Sequence, residues 1–371
     1  MNNFKENLGM TAKSIFHTLA QKIISLLKWL WARLLDIYHP NNLKKRGAVH
    51  SFVLISLTVL GLIFLVALNW NRTPNFFDVQ AVAQEKAENQ GEKLVPGYVT
   101  TNTLIELANT LLNKSGGYLS NDIMPPSVFM DDTPNWEWGV LQQVRDFSKA
   151  LRNDMSRSQT QSEDPDLAQA TPKFHIDNDS WFWPASENEY QAGIVFLDKY
   201  LHRLAAPKNQ TAQFLVGADN LRDWLEEVIK RLSNLSQRLS TSVGQKRMQM
   251  TLTSSDDAQQ ANTTPVEVEE KMPWRKVDDV FYEARGTSWA LIHLLEAIKV
   301  DFKEVLEKKH AMMTLQEVIR ELKATQKMMW SPMILNGSEF GLFANHSLVL
   351  SSYISRANTG IIEMHSLLRA G

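Results

Sequence analysis

Residues 51–70 read SFVLISLTVLGLIFLVALNW, twenty positions without a charge. At about 1.5 Å per residue, a helix of this length spans about 30 Å, the thickness of a bilayer's hydrocarbon core. The run therefore reads as a transmembrane helix. Phe52, Leu57, Leu60, Phe64 and Leu68 form its lipid-facing anchor, and Trp70 sits at the interface where tryptophan is favoured. A cleaved signal peptide fits less well, because the leader and the apolar run are both too long. The exit, Leu65 to Trp70, also offers no small-x-small cleavage site.

Charge orients the run. Residues 1–50 hold eight bases and two acids, and three of the bases, Lys44, Lys45 and Arg46, stand directly before the span. Cationic flanks stay in the cytoplasm, which places residues 1–50 inside and the remainder outside. Within the leader, Ile15, Leu19, Ile23, Leu26, Leu30, Leu34 and Ile37 fall on one stripe of a helix over 12–38. That amphipathic basic leader suits the inner leaflet or a partner helix. Removing the leader's eight bases and two acids from the chain's 39 and 41 leaves 31 and 39, a net charge of −8. An acidic body argues against nucleic acid as a partner. The absence of cysteine removes disulfides, thiolate metal sites and thiol catalysis.

Beyond the span, 71–98 is polar and mixed and reads as a stalk. From 99 onward the periodicity is helical. Tyr190, Ile194, Leu197, Leu201 and Leu204 step by four and three. So do Leu221 to Leu239, Val277 to Val305, Leu315 to Met329 and Leu350 to Leu368. Shorter helices are expected over 101–113 and 136–157. Each sustained seam needs a partner lying lengthwise on it. The expected fold is therefore all-α: one N-terminal transmembrane helix followed by a large antiparallel helical bundle. The polar stretch 249–272 reads as a disordered loop between a helical region at 99–248 and a C-terminal one at 273–371 that packs on it. Whether these make one domain or two stays open, and the seams suit a homo-oligomer as well as an internal bundle.

Candidate sites lie at the joins. Leu119 to Pro126 is a rigid turn carrying Asp122, and Trp136 opens a helix. Phe174 to Pro184 crowds Trp181, Phe182 and Trp183 together with Asp177 and Asp179. Clustered loop aromatics either plug the end of a bundle or form a recognition surface. Asp177, Asn178 and Asp179 lack the distal glutamate of a calcium loop. Arg145 and Arg152, seven apart, share a helix face and suit either an anionic ligand or acids of a neighbouring helix. His293 and Glu296 have metal-ligand spacing on a helix, but no second such pair completes a centre, so a structural or solvent-facing histidine is expected. No nucleophile elbow, phosphate loop or zinc-protease motif occurs, so no catalytic, cofactor or metal residue is assigned.

Four strings taken together carry a resemblance: PGYVTTNTLIELANTLLNKSGGYLSND from Pro96, WEWGVLQQVRDFSKALRNDMSRSQTQS from Trp136, SWFWPASENEYQAGIVFLDKYLHRL from Ser180 and DDVFYEARGTSWALIHLLEAIKVDF from Asp278. With these the chain resembles the DUF2333 proteins, a bacterial family of unknown function. The resemblance implies a Gram-negative inner membrane and a periplasmic body, and it brings no catalytic residue. The function expected is binding: a membrane-anchored scaffold or adaptor whose partners are the lipid bilayer and other envelope proteins. A ligand-sensing ectodomain acting through a partner is the alternative, and an envelope hydrolase or its helper is a third reading.

Overall fold

The computed structural model describes residues 47–156, 163–206, 211–242, 245–250, 265–270, 272–273, 276–331, 333–337 and 342–370, with scattered positions between 21 and 39. The chain divides into two units, Met1–Val66 and Ala67–Gly371. In the first, the described positions Lys22, Ser25, Trp29, Arg33 and Asp36 are helical, as the leader's stripe predicts. Lys44, Lys45 and Arg46 lie outside the described residues.

Helix α1 (Ala48–Trp70) is 23 residues long and none of its residues is buried. It is long and apolar enough to cross a membrane. Trp70, at the end of the helix, packs on Gly116. A Cβ placed on Gly116 would stand 2.7 Å from its indole, so only glycine leaves room for it.

Among the described residues, 67–371 form an all-α body apart from one two-stranded antiparallel pair. Its helices are α2 (Val79–Gln90), α3 (Tyr98–Asn113), α4 (Asp132–Ala150), α5 (Pro165–Phe174), α6 (Ser186–Ala205), α7 (Ala218–Thr241), α8 (Val277–Asp301), α9 (Lys303–Lys308), α10 (Met312–Ala324) and α11 (His346–Arg369). The predicted seams are its core. Tyr190, Ile194 and Leu197, Leu221 to Leu239, and Leu350 to Leu368 are buried at their periodic positions. One contiguous core links them, so the body is a single unit and not two.

Helix α8 is the centre of this body and packs on α2, α3, α4, α7 and α10. Every residue from Glu283 to Leu295 is buried. Small residues let neighbours approach on all sides. A Cβ on Gly286 would meet the Trp136 carbonyl at 2.0 Å, and one on Gly139 would meet the Glu283 carbonyl at 2.1 Å. Thr287 donates its hydroxyl across this crossing to the Gly139 carbonyl at 3.3 Å. Such near-contact of two backbones is open only to glycine.

Two expectations need correcting. The stalk is not a free linker: α2 buries Val79, Ala83 and Ala87, one stripe of mostly small side chains. Asp78 caps its first turn and Lys86 reaches Asp198 at 2.8 Å. Alanines carry little apolar signal, which is why the composition reads as polar. The stretch 249–272 is not wholly irregular either. Strand β1 (Gln245–Met250) pairs antiparallel with β2 (Pro265–Glu270), Gln245 opposite Glu270 and Met250 opposite Pro265. Residues 251–264 lie outside the described residues.

Candidate interaction surface

The loop 174–186 holds the sequence-selected aromatics Trp181, Phe182 and Trp183, the loop 118–131 holds Asp122, and buried polar groups fix both. Helix α3 ends at a reversal through Gly116 and Gly117, with φ of 90° and 74°, where side-chain-bearing residues are strained. Lys114, at that end, places its ammonium 2.6 Å from Glu137 in the second turn of α4, and their side chains are 2 % and 0 % exposed. Glu137 also accepts the N–H groups of Leu119 and Ser120, each at 2.8 Å, and the Ser120 hydroxyl at 2.5 Å. Burial pushes its carboxyl pKa up, against the pull of Lys114, Ser120 and Leu119. This carboxylate staples the start of the loop 118–131 to α4.

The loop 174–186 is fixed just as closely. Arg145 on α4 donates from Nε to the Phe174 carbonyl at 2.6 Å and from Nη2 to that of Ile176 at 2.7 Å. Tyr190 donates to the Ile176 carbonyl at 3.1 Å, and Ser186 to that of Asp177 at 2.7 Å. Ser180 closes the turn by donating to the Pro184 carbonyl at 2.8 Å. The two loops are then tied together. Asn121 donates to the Ser180 carbonyl at 2.8 Å and to Glu187 at 2.6 Å, and Tyr118 donates to the Asn178 carbonyl at 2.9 Å.

These fixed loops present apolar side chains to solvent. Trp181, Phe182 and Trp183 are 59 %, 69 % and 88 % exposed, and Phe129 is 78 % exposed. Ile123, Met124 and Val128 join them from the first loop. The aromatics therefore do not plug the bundle. The same two loops and their flanks carry Asp122, Asp131, Asp132, Asp177, Asp179 and Glu187, with no lysine or arginine in 118–132 or 174–187. An exposed apolar patch inside an acidic rim is the arrangement of a binding surface.

The remaining selected residues fall elsewhere. Trp136 is buried 5.2 Å from the Trp289 ring and is core. Asp122 is exposed beside the patch. Arg145 donates to these carbonyls and stacks over Trp138 at 5.1 Å, and no acid among the described residues forms an ion pair with it. Arg152 lies in a π turn, Leu151–Met155, which breaks the register on which its shared face with Arg145 depends. It donates to Asn153 at 3.0 Å and lies 4.0 Å from the Glu163 carboxylate, just before α5, so it has an acid partner. Sequence reasoning missed Ile123, Met124, Val128 and Phe129. Their signal was four large apolar residues within seven positions that belong to no helical seam.

Of the two expected roles, His293 has the structural one. Its Nδ1–H donates to the Trp289 carbonyl at 2.8 Å, Nε2 accepts the Phe77 N–H at 3.3 Å, and Phe77 stacks on the ring at 4.1 Å. Burial lowers its pKa to about 4. Asp131, Asp132 and Asp278 bring three carboxylates within 4.8 Å of one another, the spacing of metal ligands. Burial raises Asp132 to about 6, opposed by the Asn71 amide and aided by Asp131 and Asp278.

Fold and surface together define an all-α protein with one exposed apolar helix and a compact body that displays aromatic loops. The chain belongs to the DUF2333 family, described as an uncharacterized protein conserved in bacteria, whose profile matches residues 43–371. The match takes in the basic triplet Lys44–Arg46, α1 and the whole body. No curated protein matches the chain, and no solved structure does.

Proposed function

We propose that this protein is a single-pass inner-membrane protein whose periplasmic body acts by binding, as a scaffold or adaptor for other envelope proteins. The observation that carries the reading is the exposed triplet Trp181, Phe182 and Trp183 on a loop held by Arg145, Asn121, Tyr190 and Ser186. A prepaid loop conformation lowers the ordering entropy that a partner would otherwise have to overcome, and aromatic anchors of this kind dominate interface energetics. The acidic rim matches a partner whose apolar pocket is edged with lysine or arginine.

Anchoring is supported by α1 itself. A soluble core helix of such composition would be buried, and here no residue of α1 is. Each large side chain left in water forgoes about 1.5–3 kcal/mol that lipid would return. Orientation is supported by the bases of the leader and by Lys44, Lys45 and Arg46. The bacterial family supports an envelope setting. The sensor reading needs Arg145 or Asp122 in a pocket. Arg145 holds loop carbonyls and Asp122 faces solvent, so the binding-surface reading is preferred.

A photoreactive amino acid at Phe129 tests this in native membranes. The expected result is one discrete protein adduct that disappears when Trp181 and Trp183 are changed to alanine. Adducts confined to lipid, or a protein adduct indifferent to the two tryptophans, would contradict the proposal.

A further inference from the structure

On the far side of α8 from Gly139, a groove of about 290 Å³ opens between the chain following α10 and the first half of α11. That volume is at the lower end of the roughly 300–1,000 Å³ that holds small molecules. Met328, Met329, Trp330 and Leu350 give it apolar walls, Arg285, Lys327 and His346 are its basic groups, and among the described residues no acid lines it. Arg285 is 8 % exposed. Nη1 and Nη2 donate to the carbonyls of Lys327 and Gln326 at 3.1 and 3.3 Å, and Nε has no partner. Those carbonyls position the guanidinium but do not neutralise it, and arginine keeps its proton. Arg231 and Arg238, by contrast, hold carboxylates, Asp146 at 2.5 Å and Glu283 at 2.7 Å. A buried charge without a counter-ion is costly, and a ligand that brings one relieves that cost.

We propose that this groove binds an anionic amphiphile, with a carboxylate, sulfonate or phosphate monoester at Arg285 and its apolar tail along Met328, Met329 and Trp330. The groove shares no residue with the aromatic loops, so the site stands or falls independently of the scaffold reading.

The test uses the full chain in phosphatidylcholine nanodiscs with a diazirine-bearing decanoate, photolysed and mapped by mass spectrometry. Adducts are expected on peptides covering 324–330 and 346–353, competed by decanoate and not by the uncharged decanol. Met328→Glu sets an acid in the groove at a residue 77 % exposed, so folding is untouched. It should lower labelling roughly tenfold or more, and Arg285→Met should do the same. Loss of labelling when phosphatidylglycerol replaces phosphatidylcholine would make a membrane lipid headgroup the source of the anion; unchanged labelling would make it a free acid. Both keep the site. Equal competition by decanol, labelling indifferent to Met328→Glu, or adducts confined to α1 would overturn it.

Discussion

His293 couples the segment after α1 to the central helix through its protonation state. Its ring is filled on both nitrogens, one donating to Trp289 and the other accepting from Phe77, so a second proton breaks a bond. The native pKa of about 4 lies below the ordinary 6.5. Between those values the unfolded chain binds more protons, so this histidine's contribution is complete above pH 6.5 and is lost as pH falls toward 4. The span corresponds to about 3 kcal/mol. Denaturation across pH 4–7 should show the stability gap between wild type and His293→Gln widening with pH and then levelling off. A gap independent of pH would contradict the lowered pKa of the buried ring. Glu137 makes the other residue-scale prediction. Glu137→Gln leaves Lys114 buried without its counter-ion and should cost about 3–5 kcal/mol in chemical denaturation. The sequence did not disclose this role. An acid between two tryptophans reads as the polar face of an amphipathic helix, and its partner lies across a glycine reversal whose path no periodicity reports.

Helices carry the next level. The long seams were legible because each was a four-and-three repeat of mostly large apolar residues, and those positions are buried in α6, α7, α8, α10 and α11. What escaped was anything built from small residues. Ala83 and Ala87 dock α2, and Gly139 and Gly286 bring α4 and α8 into backbone contact. Glycine and alanine in a helical stretch give no apolar stripe, so close approach is invisible until the partner helix is known. The crossing makes a sharp prediction. Gly286→Ala drives a methyl into the Trp136 carbonyl and should cost about 2 kcal/mol or more, read as a lowered denaturation midpoint. The equally small change Ala→Gly at Ala324, at the C-terminal end of α10, should cost about 1 kcal/mol or less. The aromatic loop 174–186 was legible as a candidate site from composition alone. So was the turn Leu119–Pro126 with Asp122, but its junction with the aromatic loop was not, because Asn121 and Ser180 lie 59 positions apart and only the folded body joins them.

At the scale of the molecule, one exposed apolar helix and one compact acidic body follow from the distribution of charge and hydropathy along the chain. The body's unity did not follow. A polar stretch near 249–272 looks like a domain boundary, yet the core runs continuously across it because α7 and α8 pack on common partners and the hairpin is an excursion between them. The absence of cysteine makes the central claim, a membrane-crossing α1 with the leader inside and the body outside, directly measurable. Two single-cysteine variants serve: Ser25→Cys in the leader, and Met313→Cys on the body, where the native side chain is 82 % exposed. With a membrane-impermeant maleimide on intact spheroplasts, Met313→Cys should label at once and Ser25→Cys only after lysis. The reverse pattern, or labelling of both before lysis, would contradict the account.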